Sequence, residues 1–207
     1  MKLLILGATG RVGKEILTQA LGDGHRVHIL VRSPEKLTNI DSPDLTITQG
    51  DACVSEDVFH AVQGADAVIS ALGTDGGTTL TDSTPLIIKA MLYYAVRRIV
   101  TVGTAGILDS QEHPGLLRYE TPDTKRSSTR AAEEHRHAWD LLAGSELDWT
   151  VVCPTYLPLG ERTGDFRTER DYLPAEGQSI SVYDTADYAY KQLFSIDHIR
   201  ARVGIAY

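Results

Sequence analysis

Gly7, Gly10 and Gly13 recur at intervals of three within MKLLILGATGRVG, residues 1–13. They stand between a short apolar run and the start of an amphipathic one, a register suited to holding a pyrophosphate against the backbone. Gly7 turns the chain sharply off a strand, Gly10 lets phosphate come close, and Gly13 lets the next helix pack tightly on the sheet. The N–H groups and partial positive charge at that helix N-terminus complete an anion site, with Thr9, Arg11 and Val12 in the same turn. Arg32 then follows the second apolar run, where such a fold places the adenosine ribose. An acidic residue there selects NAD, whereas a cation favours the 2′-phosphate of NADP. Arg32, with Ser33 beside it and Arg11 and Lys36 as further cations, therefore predicts NADP(H) as the preferred cofactor, NAD(H) being possible. The competing reading of Arg32 is a solvated surface arginine. Gly50-Asp51-Ala52, after the third apolar run, falls where adenine lies, and Asp51 could accept from its amino group.

These residues need a sheet to hold them in register. Apolar runs predict strands over 2–6, 25–31, 45–48, 65–70, 98–102, 147–153 and 203–206. Between them the pattern predicts helices over 14–21, 34–37, 55–62 with Ser55 as cap, from about Asp82 or Thr84 to Ala95 with Pro85 in the first turn, 128–143, and from Asp184 or Thr185 to Phe194. Strand–helix alternation with apolar, non-alternating strands is the pattern of a parallel sheet covered on both faces. The fold class expected is α/β, a Rossmann-type doubly wound parallel sheet, with residues 1–207 as a single NAD(P)-binding domain. Two stretches without periodicity, about 106–127 and 154–181, are expected as loops that build a substrate pocket.

The chain has 207 residues, 42% hydrophobic and 23% charged, with a formal charge of −8. That acidity argues against general binding to nucleic acid or an anionic membrane, because phosphate affinity comes mostly from Lys and Arg. Cys53 and Cys153 lack metal-ligand spacing and read as reduced buried thiols, and no metal is expected. The first apolar run is too short for a signal peptide and no window reaches the length of a membrane span, so a cytoplasmic location is expected. The pattern is compatible with a monomer or small homo-oligomer.

With GATGRVG, LVRS after the second strand, GD after the third, SALG after the fourth, and then VTVGTAGI and LDWTVVCPTYL, the chain resembles the atypical short-chain dehydrogenases/reductases. More narrowly, it is similar to the small NAD(P)H-binding proteins grouped with NmrA-like proteins and the biliverdin reductase B/flavin reductase type. The resemblance implies a nicotinamide over the C-terminal ends of the fourth to sixth strands. It also implies cofactor contacts from Gly7, Thr9, Gly10, Arg11, Val12, Arg32, Asp51, Ala71, Leu72 and Gly73, with Thr101–Thr104 and Pro154–Leu157 flanking the nicotinamide.

One departure bears on the chemistry. Most short-chain dehydrogenases use a Tyr-x-x-x-Lys pair to exchange a proton with a substrate oxygen. The helix expected over 128–143 has neither residue, and Tyr119 is followed four positions on by Asp123. That helix offers Glu133-Glu134-His135-Arg136 instead, on which His135 is either a proton donor or a core histidine bonded to a carbonyl. Glu133 and Glu134 read as a solvated face. Thr104 either orients a nicotinamide or substrate carbonyl or caps its loop, and Tyr156 either stacks near the nicotinamide or packs its loop. A nicotinamide supplies its own hydride, and planar conjugated acceptors need little help in taking it. The expected function is therefore an NADPH-dependent reductase of a flavin, quinone or tetrapyrrole-like small molecule. An NADP(H)-binding regulator of the NmrA-like kind is the alternative, and a nucleotide-sugar isomerase is a weaker one.

Overall fold

Residues Lys2–Leu6 form strand β1, in which Leu3, Leu4, Ile5 and Leu6 are wholly shielded from solvent. A strand apolar on both sides must be covered on both faces, and the computed structural model shows that arrangement. It describes residues 1–37, 40–122 and 128–207. Asp123 and the end of the first expected loop, 123–127, lie outside these.

Helix α1 (Arg11–Gly22) follows β1, then β2 (Arg26–Val31), β3 (Leu45–Gln49), α2 (Ser55–Val62), β4 (Ala67–Ser70), α3 (Thr79–Tyr93) and β5 (Arg98–Val102). The second half adds α4 (Arg130–Ala143), β6 (Asp148–Pro154), β7 (Arg167–Arg170), α5 (Val182–Gln192) and β8 (Ala201–Ala206). The sheet order is β3-β2-β1-β4-β5-β6-β8-β7, parallel throughout except for β7 against β8. In register, Leu6 lies beside Leu30 on one side and Ser70 on the other. The order reverses between β1 and β4, and ligands of open α/β sheets bind at such a switch point, beyond the carboxyl ends of the strands.

On one face Ile16, Leu17 and Ala20 of α1 and Val182, Ala186 and Ala189 of α5 cover the sheet. On the other, Val58 and Val62 of α2, Ile87 and Met91 of α3 and Leu142 of α4 do so. The expected class is thus the observed one: a doubly wound α/β sheet with helices on both faces.

Several boundaries differ from those expected. Ser55 is the first residue of α2 rather than its cap, which is Val54. Helix α3 begins at Thr79, so Pro85 sits inside it and leaves one backbone acceptor without its helical donor. The Thr84 hydroxyl donates to the Leu80 carbonyl at 2.6 Å in the same stretch. Helix α5 is capped by Ser181, whose hydroxyl accepts from the Asp184 N–H at 3.0 Å, not by Asp184 or Thr185. Strand β7, RTER, lies in a stretch expected to be loop; it carries no apolar pattern because its side chains are mostly exposed at the sheet edge.

Candidate functional site

The chain leaves β1 through Gly7, whose φ is +76°. A Cβ at Gly7 would lie 2.4 Å from the Ala71 carbonyl oxygen, so glycine serves both the turn and the close approach to the end of β4. At Gly13 a Cβ would lie 2.1 Å from the Gly7 carbonyl oxygen, so a bare α1 packs directly on the turn. Gly10 caps α1 with no side-chain hydrogen bond, and no acidic residue occupies the first turn of that helix. The helix N-terminus therefore keeps its positive end uncompensated, facing a cleft.

That cleft is lined by Gly7, Thr9, Gly10, Arg32, Asp51, Ala52, Ala71, Leu72 and Gly73, with Asp75 and Thr79. Nine of the residues expected from sequence thus share one crevice at the switch point. The glycine turn and the uncapped N-terminus of α1 open onto this cleft, a set of backbone N–H donors that suits a dinucleotide pyrophosphate. Arg32 is at one edge of it, ion-paired to Asp75. Asp51 accepts from the Cys53 N–H at 2.9 Å, while its own N–H donates to Asp57 at 2.8 Å, which fixes the turn below the cleft.

Other expected cofactor residues stand apart from this crevice. The Arg11 guanidinium donates to the Leu157 carbonyl at 2.9 Å, tying the α1 N-terminus to the chain beyond β6 instead of joining Arg32. Val12 and Gly13 are buried under the turn. Ser33 caps a short 3₁₀ turn over residues 34–36 without a side-chain hydrogen bond. Pro154 ends β6, paired with Ile205.

His135 and Thr101 line a second cavity, between α3, α4 and the ends of β4 and β5, together with Ser70, Ser83 and Trp139. Its volume is about 20 Å³, room for a water rather than a substrate ring. The Ser83 hydroxyl and Trp139 indole N–H are buried with no hydrogen-bond partner among the described residues. The inward face of α4 runs Ala132, His135, Ala138, Trp139 and Leu142, with Ala131 exposed. Nor is Glu134 a solvated side chain: it accepts from the Thr81 N–H at 3.1 Å and from the Thr81 hydroxyl at 2.7 Å, joining α4 to α3. Glu133 does stay exposed, and accepts from the Thr129 hydroxyl at 2.6 Å.

Thr104 caps the 3₁₀ turn Ala105–Ile107, its hydroxyl accepting from the Gly106 N–H at 3.3 Å. Tyr156 is 72% exposed beyond β6, near the likewise exposed Leu159. The two irregular stretches meet where Gln111, Glu112 and Arg118 face residues 173–178 across an open polar cavity of about 480 Å³. The chain after Tyr156 is fixed to α5 by Asp184, which is wholly buried. Its carboxylate accepts from Gly164 N–H at 2.9 Å, Thr163 N–H at 3.1 Å, and the hydroxyls of Thr163 and Tyr207 at 2.7 Å each. Burial alone would raise its pKa, but the hydrogen bonds from Tyr207, Gly164 and Thr163 outweigh it and hold the carboxyl below its ordinary value.

Sequence reasoning missed Asp75, Thr79 and the anchoring role of Asp184. The dipeptide Asp75-Gly76 was the available signal for a tight turn at the cleft. Among the described residues, no cluster of His, Cys, Asp or Glu is placed to hold a metal ion, and no helix is long and apolar enough to cross a membrane.

Comparison with known proteins agrees with this geometry. YwnB of Bacillus subtilis is 29% identical over 203 residues, 96% of this chain and 93% of YwnB. The solved structure of a candidate epimerase from Bacteroides thetaiotaomicron superposes with a TM-score of 0.86 at 30% identity, covering 100% of this chain and 96% of that one. A candidate NADH-flavin reductase from Streptococcus pneumoniae gives a TM-score of 0.82 at 28% identity, covering 100% and 99%. The family model described as NAD(P)H-binding matches residues 7–195, across the glycine turn, the cleft and α5. The chain belongs to the NAD(P)H-binding family.

Proposed function

We propose that the protein is an NADPH-dependent reductase that delivers hydride to a flavin, a quinone or a similar conjugated small molecule. The observation that carries this reading is Arg32 at the edge of the glycine-lined cleft, a cation where an NAD-selective site would carry a carboxylate. Its planar fork suits the oxygens of a 2′-phosphate. The glycine turn and the uncapped N-terminus of α1 would hold the pyrophosphate, and Ala71, Leu72 and Gly73 would line the path toward the nicotinamide. When bound, the nicotinamide supplies the hydride, so the protein's task is to hold an acceptor against it and exclude competing reactions. Tyr156 and Leu159, exposed apolar side chains beyond β6, would contact such an acceptor, and the open polar cavity between residues 111–118 and 173–178 would give it room. The name of the pneumococcal neighbour points to the same acceptor class.

One observation favours a second reading, an NADP(H)-binding regulator. His135, among the described residues the one ionisable side chain lining its cavity, faces a space too small for a substrate. The two readings separate in one assay. Protein, NADPH and a panel of flavins, quinones and biliverdin are mixed, and absorbance of the reduced nicotinamide is followed. Turnover with a planar acceptor and none with simple ketones is the expected result. Tight NADP binding without turnover on any acceptor would refute the reductase and leave the regulator.

A further inference from the structure

Residues 74–77 make a tight turn in which the Gly77 N–H donates to the Thr74 carbonyl at 2.8 Å. Asp75 (φ +49°) and Gly76 (φ +68°) hold its centre, the positive-φ pair that an Asp-Gly turn of the mirror type requires. The turn projects the Asp75 carboxylate onto the Arg32 guanidinium, and both side chains line the cofactor cleft. Arg32 is thus not a bare cation awaiting a phosphate. A negative charge already sits on one nitrogen of its fork, through one carboxylate oxygen, where a 2′-phosphate would arrive.

Both side chains are half-exposed or more, 61% for Arg32 and 50% for Asp75, so the pair contributes little to stability and exchanges readily. The carboxylate has two chemically distinct relations with the two dinucleotides. It accepts a hydrogen bond from a 2′-hydroxyl, as acidic residues do in NAD-selective sites. Toward a 2′-phosphate it is a like charge, and it holds the donors that phosphate needs.

We infer that Asp75 is a specificity-determining residue. It is the counter-ion that Arg32 gives up to a 2′-phosphate and the acceptor for a 2′-hydroxyl, and so it moderates the preference that Arg32 alone would impose. This rests on the reading of Arg32 as the 2′-phosphate contact. The pair lets the cleft take either dinucleotide, with Asp75 setting how far NADP(H) is favoured.

The test compares dissociation constants for NADP⁺ and NAD⁺ in four proteins: the unmodified chain, Asp75→Asn, Asp75→Gly and Arg32→Ala. Asn and Gly both tolerate positive φ, so the turn survives, and thermal melts check this. Removing one charge beside the phosphate is expected to raise the NADP⁺:NAD⁺ affinity ratio about three- to tenfold in both Asp75 variants at low ionic strength. The gain should shrink in about 0.5 M salt, where the Debye length falls to a few ångströms. Arg32→Ala is expected to lower the ratio. An unchanged ratio in the Asp75 variants, with a lowered one in Arg32→Ala, overturns the inference and leaves the Arg32 reading standing. An unchanged ratio in Arg32→Ala overturns that reading, and the inference with it.

Discussion

Asp184 gives the most quantitative test of how the second half of the chain is held. Its carboxylate accepts from four donors, Thr163 N–H at 3.1 Å, Gly164 N–H at 2.9 Å and the hydroxyls of Thr163 and Tyr207 at 2.7 Å each. Asp184→Ala removes the acceptor from all of them. A hydrogen bond to a charged group contributes about 1.5–3 kcal/mol, but the gains do not add. Thr163 and Gly164 are themselves exposed, so their three freed donors recover only part of the lost bonding from water. About two bonds' worth is then lost, roughly 3–5 kcal/mol, similar to other losses of one partner from a buried charged network. In a chain of this size each kcal/mol lowers Tm by about 2–4 °C, which gives a drop of roughly 6–20 °C at pH 7. The sign of the pH dependence follows from the depressed pKa of the folded state. The contribution is fully present above the ordinary carboxylate range and fades as pH falls through the folded value. The unmodified protein therefore loses more than the variant on acidification, and the gap between them narrows below about pH 4. Asp184→Asn keeps the shape but turns an N–H₂ group toward N–H donors, and it should show a smaller loss of the same sign. Melting of Asp184→Ala within about 1 °C of the unmodified protein at pH 7, well inside the conversion above, would refute the anchor. So would a gap that does not change with pH.

Two further outcomes follow from the packing. Gly13→Ala places a methyl 2.1 Å from the Gly7 carbonyl oxygen, a backbone atom that cannot step aside. It should cost about 1–3 kcal/mol in thermal stability and weaken dinucleotide binding by displacing α1 from the turn, both readable in melts with and without cofactor. The two thiols should also separate. Cys153 is fully buried and its thiol is pushed up to about 12, chiefly by burial. The Cys53 thiol is raised too, by burial and then by Asp51, yet it is partly accessible. A disulfide reagent at pH 8 should therefore label Cys53 slowly in the native protein and Cys153 only after denaturant; rapid native labelling of Cys153 would contradict the packing of β6.

The sequence alone determined the fold class and most of the residues that line the cleft beside the glycine turn. Glycines need no partner to reveal what they are for: Gly7 and Gly13 mark positions where a side chain is forbidden, and the apolar run before them has the length and purity of a strand covered on both faces. Arg32 was legible for the same reason, because its place at the end of β2 is fixed by chain order. What depended on contacts between distant residues was not legible. Which of two adjacent alanines of α4 turns inward was not, since Ala131 and Ala132 are alike in chemistry and only packing against α3 and the sheet chooses between them. Glu134 was read as solvated because nothing in its neighbourhood announces Thr81, 53 positions away in the chain. Arg11 turned to the Leu157 carbonyl, and Asp184 took the 163–164 backbone instead of capping its helix, each finding a partner across the fold. Asp75 is the clearest case. Its Asp-Gly dipeptide predicts a turn, but only the sheet, by setting β2 and β4 on either side of β1, brings that turn onto Arg32. Local chemistry is written in residue types and spacing, whereas the choice of partner is made by the tertiary structure, because charge and hydrogen-bonding groups pair with whatever the fold brings within reach.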